Sequence, residues 1–349
     1  MASTRRQTTL SNIGEFELIH SIAKKLGSRS SSEIILGIGD DGAILQIPPG
    51  RHLVVSTDLL IERIHFNTRS ATFFEIGYKA AVANLSDMAA MGAKPTALLV
   101  SVALPANLTF LDWKEFYRGL AAPCKSYNVR IVGGDTSSSR SDSFLSLTIL
   151  GTVKRGCALH RSGASKGHWL YVSGTLGDSA AGLDYITKQR RHARARASLS
   201  PPHRYLVQRH FHPTPRIALG SFLGARHWAS AAIDISDGLS NDLGHLCKQS
   251  RVGARIFSDN LPLSPSLKSY AIRKKVDPLK WALHGGEDYE LLFTVPPQYS
   301  KNVENAAKRA SILITKIGLI TSYQSGIRLQ GSEGNVTPLP SGGFDHFHS

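Results

Sequence analysis

Ile38-Gly39-Asp40-Asp41-Gly42 sets two adjacent carboxylates on a turn between two apolar runs, Ile34 to Ile38 and Ala43 to Ile47. A hairpin turn of the Asp-Gly type needs one acid, so the second asks for a ligand. Four more acid-bearing clusters follow: Ser56-Thr57-Asp58, Asn84-Leu85-Ser86-Asp87, Gly133-Gly134-Asp135-Thr136 and Asp234-Ile235-Ser236-Asp237-Gly238. In a chain of net charge +15, acids gathered in this way point to a site for divalent metal ions. Hard cations take oxygen ligands, typically a few carboxylates together with substrate phosphates and water.

Outward from that turn, Phe16, Ile19, Ile22, Ala23 and Leu26 fall at helical spacing and Gly27 suits a C-cap, which predicts an opening helix. Leu53 to Thr57 predicts a short strand whose polar end, Ser56-Thr57-Asp58, projects past the sheet. Phe73 to Met91 predicts a long helix stopped by Gly92 and Pro95, with small alanines near Asp87 that admit another backbone. Thr96 to Leu104 alternates as a strand, Leu111 to Tyr127 as a helix, and Val129 to Val132 as a strand ending at Gly133-Gly134-Asp135-Thr136. Phe144 to Val153, Trp169 to Ser173, Ala231 to Ile235 and Tyr289 to Val295 predict further strands. Gly174 to Gly182 reads as a small-residue turn, and Leu239, Leu243 and Leu246 mark a helix face. Acids thus recur at strand ends, in loops that a sheet holds still.

The length of 349 residues predicts two domains, placed at 1–155 and 156–349. Apolar content of 42% and charged content of 19% are those of an ordinary globular chain. The start, Met1 to Asn12, is polar without a signal-peptide core, and no run reaches membrane-spanning length, so a cytoplasmic protein is expected. Cys124, Cys157 and Cys247 form no paired motif, which suits a reducing compartment. Between Asp184 and Asp234 there is no acid, while Lys188, Arg190, Arg191, Arg194, Arg196, Arg204, Arg209, Arg216 and Arg226 accumulate. Gln189 to Pro202 has the composition of an exposed loop or frayed helix. The basic stretch from Lys188 to Arg226 reads as a solvated face. It lacks the interleaved aromatics that stack bases between Lys188 and Pro202, which argues against nucleic acid.

Gly37-x-Gly39-x-x-Gly42 matches the dinucleotide fingerprint, with Glu62 about twenty residues beyond it. It fails on context: the fingerprint needs a helix after the third glycine, and Ala43-Ile-Leu-Gln-Ile-Pro-Pro is strand-like and broken by prolines. The P-loop pattern is absent. Taken singly, Asp41-Gly42 reads equally as a hairpin turn, Asp237 as an N-cap, Asp135 as a turn residue and Asp87 as a helix-surface acid.

The order of the motifs closely resembles the thiamine-monophosphate kinase family, within the ATP-binding superfamily of aminoimidazole ribonucleotide synthetase. The residues that carry the likeness are Ile38-Gly-Asp-Asp-Gly-Ala, Ser56-Thr-Asp, Lys79 to Gly92, Gly133-Gly-Asp-Thr, Arg161-Ser-Gly-Ala, Asp234-Ile-Ser-Asp-Gly-Leu and Gly285-Gly-Glu-Asp-Tyr-Glu-Leu-Leu-Phe. The resemblance implies an α/β (α+β) protein of two domains. The first is a mixed sheet with helices that binds ATP and Mg²⁺ and forms a homodimer; the second is an α/β sandwich that completes the active site. It further implies transfer of the γ-phosphoryl group of ATP to thiamine monophosphate, with several Mg²⁺ ions and no catalytic side chain beyond metal and phosphate positioning. Carried over by position, the metal ligands are Asp41, Ser56, Thr57, Asp58, Asp87, Asp135, Asp234 and Asp237. The ATP contacts are Tyr117, Gly134, Asp135, Arg161 and Ser236, and the thiamine monophosphate contacts are His65, Glu287 and Phe344. The basic segment around Gln189 to Pro202 departs from the family pattern.

Relatives in the same superfamily share parts of the pattern. A selenophosphate synthetase needs a reactive Cys near its N-terminus, whereas the first cysteine here is Cys124. An aminoimidazole ribonucleotide synthetase lacks the Gly285-Gly-Glu-Asp-Tyr-Glu signature. From another class, a basic RNA-binding protein on an inactive kinase scaffold is the alternative, and the intact acidic set stands against it.

Overall fold

The structure of the chain, a computed structural model, describes residues 9–12, 17–18, 21, 24, 32–38, 42–189 and 199–344. The Asp40-Asp41 turn, most of the expected opening helix, the arginine-rich 190–198 and the tail beyond Phe344 lie outside the described residues. The chain divides into two units, Met1–Leu85 with Pro95–Thr152, and Ser86–Lys94 with Val153–Ser349.

In the first unit, β1 (Ile34–Leu36) and β2 (Ile44–Leu45) form the antiparallel hairpin that the apolar runs predict. A four-stranded sheet follows, built from β3 (Arg51–Ile61), β4 (Lys94–Pro105), β5 (Arg130–Ser139) and β6 (Phe144–Lys154) in the order β3-β6-β4-β5. Strands β4 and β5 are parallel, so the chain must cross over between them, and α2 (Phe110–Ser126) makes the crossing. Helix α1 (Phe73–Ala90) starts on a reciprocal cap, with Thr72 N donating to Glu75 Oε2 (2.8 Å) and Glu75 N to Thr72 Oγ1 (3.2 Å). Alternation puts Val100, Val102 and Leu104 of β4 on one buried face. There Leu104 and Leu145 meet Ile76 of α1 and Trp113 and Phe116 of α2 around a small apolar cavity. On the other face the hairpin covers Ala97, Leu99 and Leu150, while Leu53, Val55 and Leu59 of edge strand β3 stay exposed at 44%, 53% and 54%.

Two strand ends differ from expectation. Strand β3 continues to Ile61, so Ser56-Thr57-Asp58 sits within the strand and not at its tip. The alternation of Leu53, Val55, Thr57 and Leu59 carries the edge strand through its polar residues, and Thr57 Oγ1 bonds to Leu147 O (3.0 Å) on β6. Likewise β5 does not end at Gly133-Gly134 but runs to Ser139 beside β4, with the register slipping at Leu98/Leu99. The glycine pair marks a bulge, not a terminus. Gly134 has φ +150°, and a Cβ there would overlap the backbone of Val100, so only glycine fits.

The second unit is a seven-stranded sheet in the order β13-β12-β9-β11-β7-β10-β8. Its strands are β7 (Trp169–Ser173), β8 (Ala231–Ile235), β9 (Gly253–Phe257), β10 (Glu290–Val295), β11 (Ile314–Thr321), β12 (Ile327–Gln330) and β13 (Val336–Pro338). Its helices are α3 (Asp178–Gln189), α4 (Pro201–Phe211), α5 (Ile217–Arg226), α6 (Leu239–Ser250), α7 (Pro265–Lys274), α8 (Leu279–His284) and α9 (Ser300–Arg309). The small-residue turn expected over Gly174 to Gly182 therefore gives way to a helix at Asp178, and Ser200-Pro201-Pro202 opens α4 with prolines in its first turn, where their missing N–H costs nothing. One core packs Leu170 and Val172 of β7, Ile233 and Ile235 of β8 and Leu292 of β10 against Leu239, Leu243 and Leu246 of α6. The end of α1 belongs to this unit, and α5 packs on it so closely that a Cβ on Gly220 would overlap the carbonyl of Ala89. The alanines beside Asp87 do admit another backbone.

Candidate active site

Strand β8 places the central acid. Because Ile233 and Ile235 turn into the core with α6, strand alternation sends Asp234 to the opposite face, where Ser86 at the end of α1 donates Oγ–H to Asp234 Oδ2 (2.7 Å). Asp234 is 4% exposed. Burial first, and then the charge of Asp87, push its carboxyl up to about 7 against the opposing Ser86 bond and Arg161 guanidinium. A buried carboxylate beside a second carboxylate favours a proton or a cation between them.

Beyond β8, Ser236-Asp237-Gly238 turns into α6. Asp242, in the first turn of that helix, reaches back to accept from Asp237 N (3.2 Å) and Gly238 N (3.1 Å). Burial and the charges of Asp234 and Asp237 push the Asp242 carboxyl up to about 8. This acid was not singled out from the sequence, although its position five residues after Asp237, in a helix's first turn, is the signal that finds it. The next segment closes over the same turn: Glu287 N donates to Ser236 O (2.7 Å) and Tyr289 N to Ile235 O (2.9 Å). Glu287 and Tyr289 have φ of +65° and +51°, a left-handed conformation that non-glycine residues adopt at a cost and that concentrates at functional sites. His210, 4% exposed, stands with Nδ1 3.0 Å from Ser179 Oγ and 3.5 Å from Glu287 Oε2. Phe344 N donates to Asp237 O (3.2 Å).

The second unit thus brings together Asp87, Asp234, Asp237, Ser236, Glu287 and Phe344, with Arg161 close enough to act on Asp234. In the first unit the candidates are spread out. Thr57 lies on the opposite face of β3 from Ser56 and Asp58; Asp58 Oδ2 is buried. Asp135, on β5, is three strands away from β3, roughly 14 Å at about 4.8 Å per strand, and its Oδ1 accepts from Thr136 N (2.8 Å). His65 Nδ1 accepts from Ile61 N (2.9 Å), closing the turn after β3. Tyr117, expected against ATP, is packed edge-on to Trp113 (4.6 Å) and Phe116 (5.2 Å) at 4% exposure; burial raises its hydroxyl pKa. Asp41 lies outside the described residues.

The donor set of the second unit suits a hard cation: carboxylate and hydroxyl oxygens, with a pair, Asp234 buried and Asp87 half-buried, whose mutual repulsion a cation would relieve. Among the described residues no three His, Cys, Asp or Glu side chains form a group that could hold a metal ion by themselves.

Residues 39–153 match the family of AIR synthase related proteins, N-terminal domain, and residues 165–328 its C-terminal domain. The thiamine-monophosphate kinase of Salmonella typhimurium is 41% identical over 338 residues, covering 96% of this chain and 98% of the relative, and that of Escherichia coli K12 is 40% identical over 334 residues with the same coverage. The crystal structure of thiamine-monophosphate kinase from Stenotrophomonas maltophilia is similar with a TM-score of 0.80 at 36% identity, over 93% of this chain and 98% of that one. The structure described as AaThiL complexed with AMPPCP and TMP gives 0.74 at 35%, over 99% and 100%. E. coli HypE, a hydrogenase maturation protein, shares the fold at 20% identity, with a TM-score of 0.74 over 94% and 98%. Full-length identity and the acids gathered at the end of β8 converge, and the chain belongs to the thiamine-monophosphate kinase family of AIR synthase related proteins.

Proposed function

We propose that this chain transfers the γ-phosphoryl group of ATP to the phosphate of thiamine monophosphate, giving thiamine diphosphate and ADP. What carries the reading is the buried Ser86–Asp87–Asp234 cluster in a chain that matches, over its whole length, a relative holding AMPPCP and TMP.

The acceptor is a phosphate monoester, whose second pKa of about 6 leaves it ionised at neutral pH, so no general base is required. One acceptor oxygen forms the new bond to the γ-phosphorus as the β–γ bridging oxygen leaves with its electron pair on ADP. The obstacle is repulsion between polyanions, about 4 kcal/mol for each pair of unit charges 4 Å apart at an effective dielectric near 20. Bound Mg²⁺ supplies neutralisation of that charge. The residues that would hold it are Asp87, Asp234 and Asp237 in the second unit, with Asp41, Ser56, Thr57, Asp58 and Asp135 as candidates from the first. Arg161, Ser236, Gly134 and Asp135 are assigned to ATP; Glu287, Phe344 and His65 are assigned to thiamine monophosphate. Glu287 would set its carboxylate against the cationic thiazolium, and Phe344 would cover a ring.

The exposed apolar residues of β3 support a homodimer formed by the first-unit sheet. Among the described residues no helix is long and apolar enough to cross a membrane, and we assign the enzyme to the cytoplasm, where ATP and Mg²⁺ are at hand.

The test is an assay of the full chain with ATP, Mg²⁺ and thiamine monophosphate, followed by chromatography. Thiamine diphosphate and ADP are expected in equal amounts. Hydrolysis of ATP without thiamine diphosphate, or no turnover together with salt-dependent RNA binding, would overturn the reading.

A further inference from the structure

The last described segment, residues 341–344, is anchored on a buried hydroxyl of α6. Ser240 is 1% exposed and stands where three chain segments meet: the start of α6, the end of α8 and residues 341–344. Its Oγ lies 2.7 Å from Gly342 O, 3.3 Å from Gly342 N and 2.8 Å from His284 Nδ1. A serine hydroxyl has one proton and two lone pairs. A carbonyl cannot donate, so the proton goes to Gly342 O, and the lone pairs receive Gly342 N–H and His284 Nδ1–H. The network therefore fixes His284 with a proton on Nδ1.

No side chain of the segment held in this way is fully buried: Ser341 is exposed and Phe344 is 39% exposed. These bonds hold it, together with Ser341 Oγ to Asn241 Oδ1 (3.0 Å) and Phe344 N to Asp237 O (3.2 Å). The approach is close. A Cβ on Gly342 would lie 2.6 Å from His284 Nδ1, and one on Gly343, at φ +137°, would overlap Asp237 O. The bonds to Ser240, Asn241 and Asp237 tie the segment to α6 and to the turn that carries Ser236 and Asp237, and His284 of α8 shares the Ser240 hydroxyl.

We propose that Ser240 and His284 are positioning residues for the acceptor substrate: they pin residues 341–344 so that Phe344 stands over the Asp237 turn. The proposal rests on the assignment of Phe344 to thiamine monophosphate. Because no side chain of the segment is fully buried, loosening it leaves the fold intact.

The full-length enzyme tests this through steady-state kinetics, with each substrate varied, and amide hydrogen exchange of the peptide ending at Phe344. In Ser240→Ala the KM for thiamine monophosphate rises roughly tenfold, the loss of about one net hydrogen bond, while the KM for ATP and kcat stay within about twofold and exchange at Gly342 and Phe344 accelerates. His284→Leu does the same, whereas His284→Asn, whose amide keeps a donor at the Nδ1 position, behaves as the parent. Faster exchange with an unchanged KM for thiamine monophosphate overturns the proposal, as do unchanged exchange and an equal loss in both substrates. Phe344→Ala separates the two claims: if it leaves the KM unchanged while Ser240→Ala raises it, the Phe344 assignment fails and the anchoring role stands.

Discussion

Asp87 and Asp234 show how one substitution separates chemistry from folding. Asp87→Asn keeps the size of a half-buried side chain and removes one charge from a repelling pair. Turnover should fall by at least about a thousandfold, the order expected when electrostatic stabilisation of a phosphoryl transfer is lost, with the thermal midpoint unchanged or raised; near-normal kcat would remove the metal reading. Asp288 gives a pH prediction. It is fully buried, accepting from Gly177 N (2.6 Å) and Ser179 N (3.1 Å), and burial pushes its carboxyl up to about 7 against the opposing pull of Arg209. An unfolded aspartate titrates near about 3.9. Between these values the native state binds more protons than the unfolded one, so this contribution is complete below about pH 4 and is lost as pH rises through about 7. Urea midpoints should fall from pH 5 to pH 8, and Asp288→Asn should flatten that slope while lowering the midpoint at pH 5, because an amide cannot accept at both oxygens. The acids at the site were legible because each stands in a short motif with glycine or serine. Ser240, His210 and His284 were not, since their roles come from partners more than thirty residues away, and Asp242 stood one turn beyond the motif that announces its helix.

At the scale of elements, hydrophobic alternation located most strands and the helices α1, α2 and α6. Where it failed, polar residues or glycines had been read as punctuation: β3 and β5 continue through Ser56-Thr57-Asp58 and Gly133-Gly134 because neighbouring strands supply their hydrogen bonds. Sequence carries no record of a neighbour's register. The contact between α5 and the end of α1 yields a further prediction. Gly220→Ala sets a methyl against the Ala89 carbonyl, backbone against backbone, so neither side can rotate away. A loss of about 1–3 kcal/mol or more is expected from overpacking, read as a lowered denaturation midpoint. Because Ala89 lies one half-turn beyond Asp87, activity should fall more steeply than stability; an unchanged midpoint would mean that the helices separate freely.

For the molecule as a whole, the net charge of +15 is less available to partners than the composition suggests. Arg209 and Arg216 belong to the acid-free window, yet both are bound to the fully buried Glu290, at 2.9 Å and at 2.5 Å through two nitrogens. Two of the cations read as a solvated face are interior links. The assembly is predicted from the opposite feature, the exposed apolar edge. Val55→Lys with Leu59→Lys should convert a dimer to a monomer in light scattering, since charges on an apolar interface are not solvated; a double variant that remains dimeric would place the interface elsewhere.

The Glu290 linkage also bears on how this sequence can drift. Removing either arginine leaves a carboxylate buried without its full counter-charge, and removing Glu290 strands two guanidinium groups, so single steps away from the trio cost several kcal/mol whereas joint replacement by apolar residues need not. Across homologues, positions 209, 216 and 290 should therefore covary as a block, held together by the inaccessibility of the intermediates.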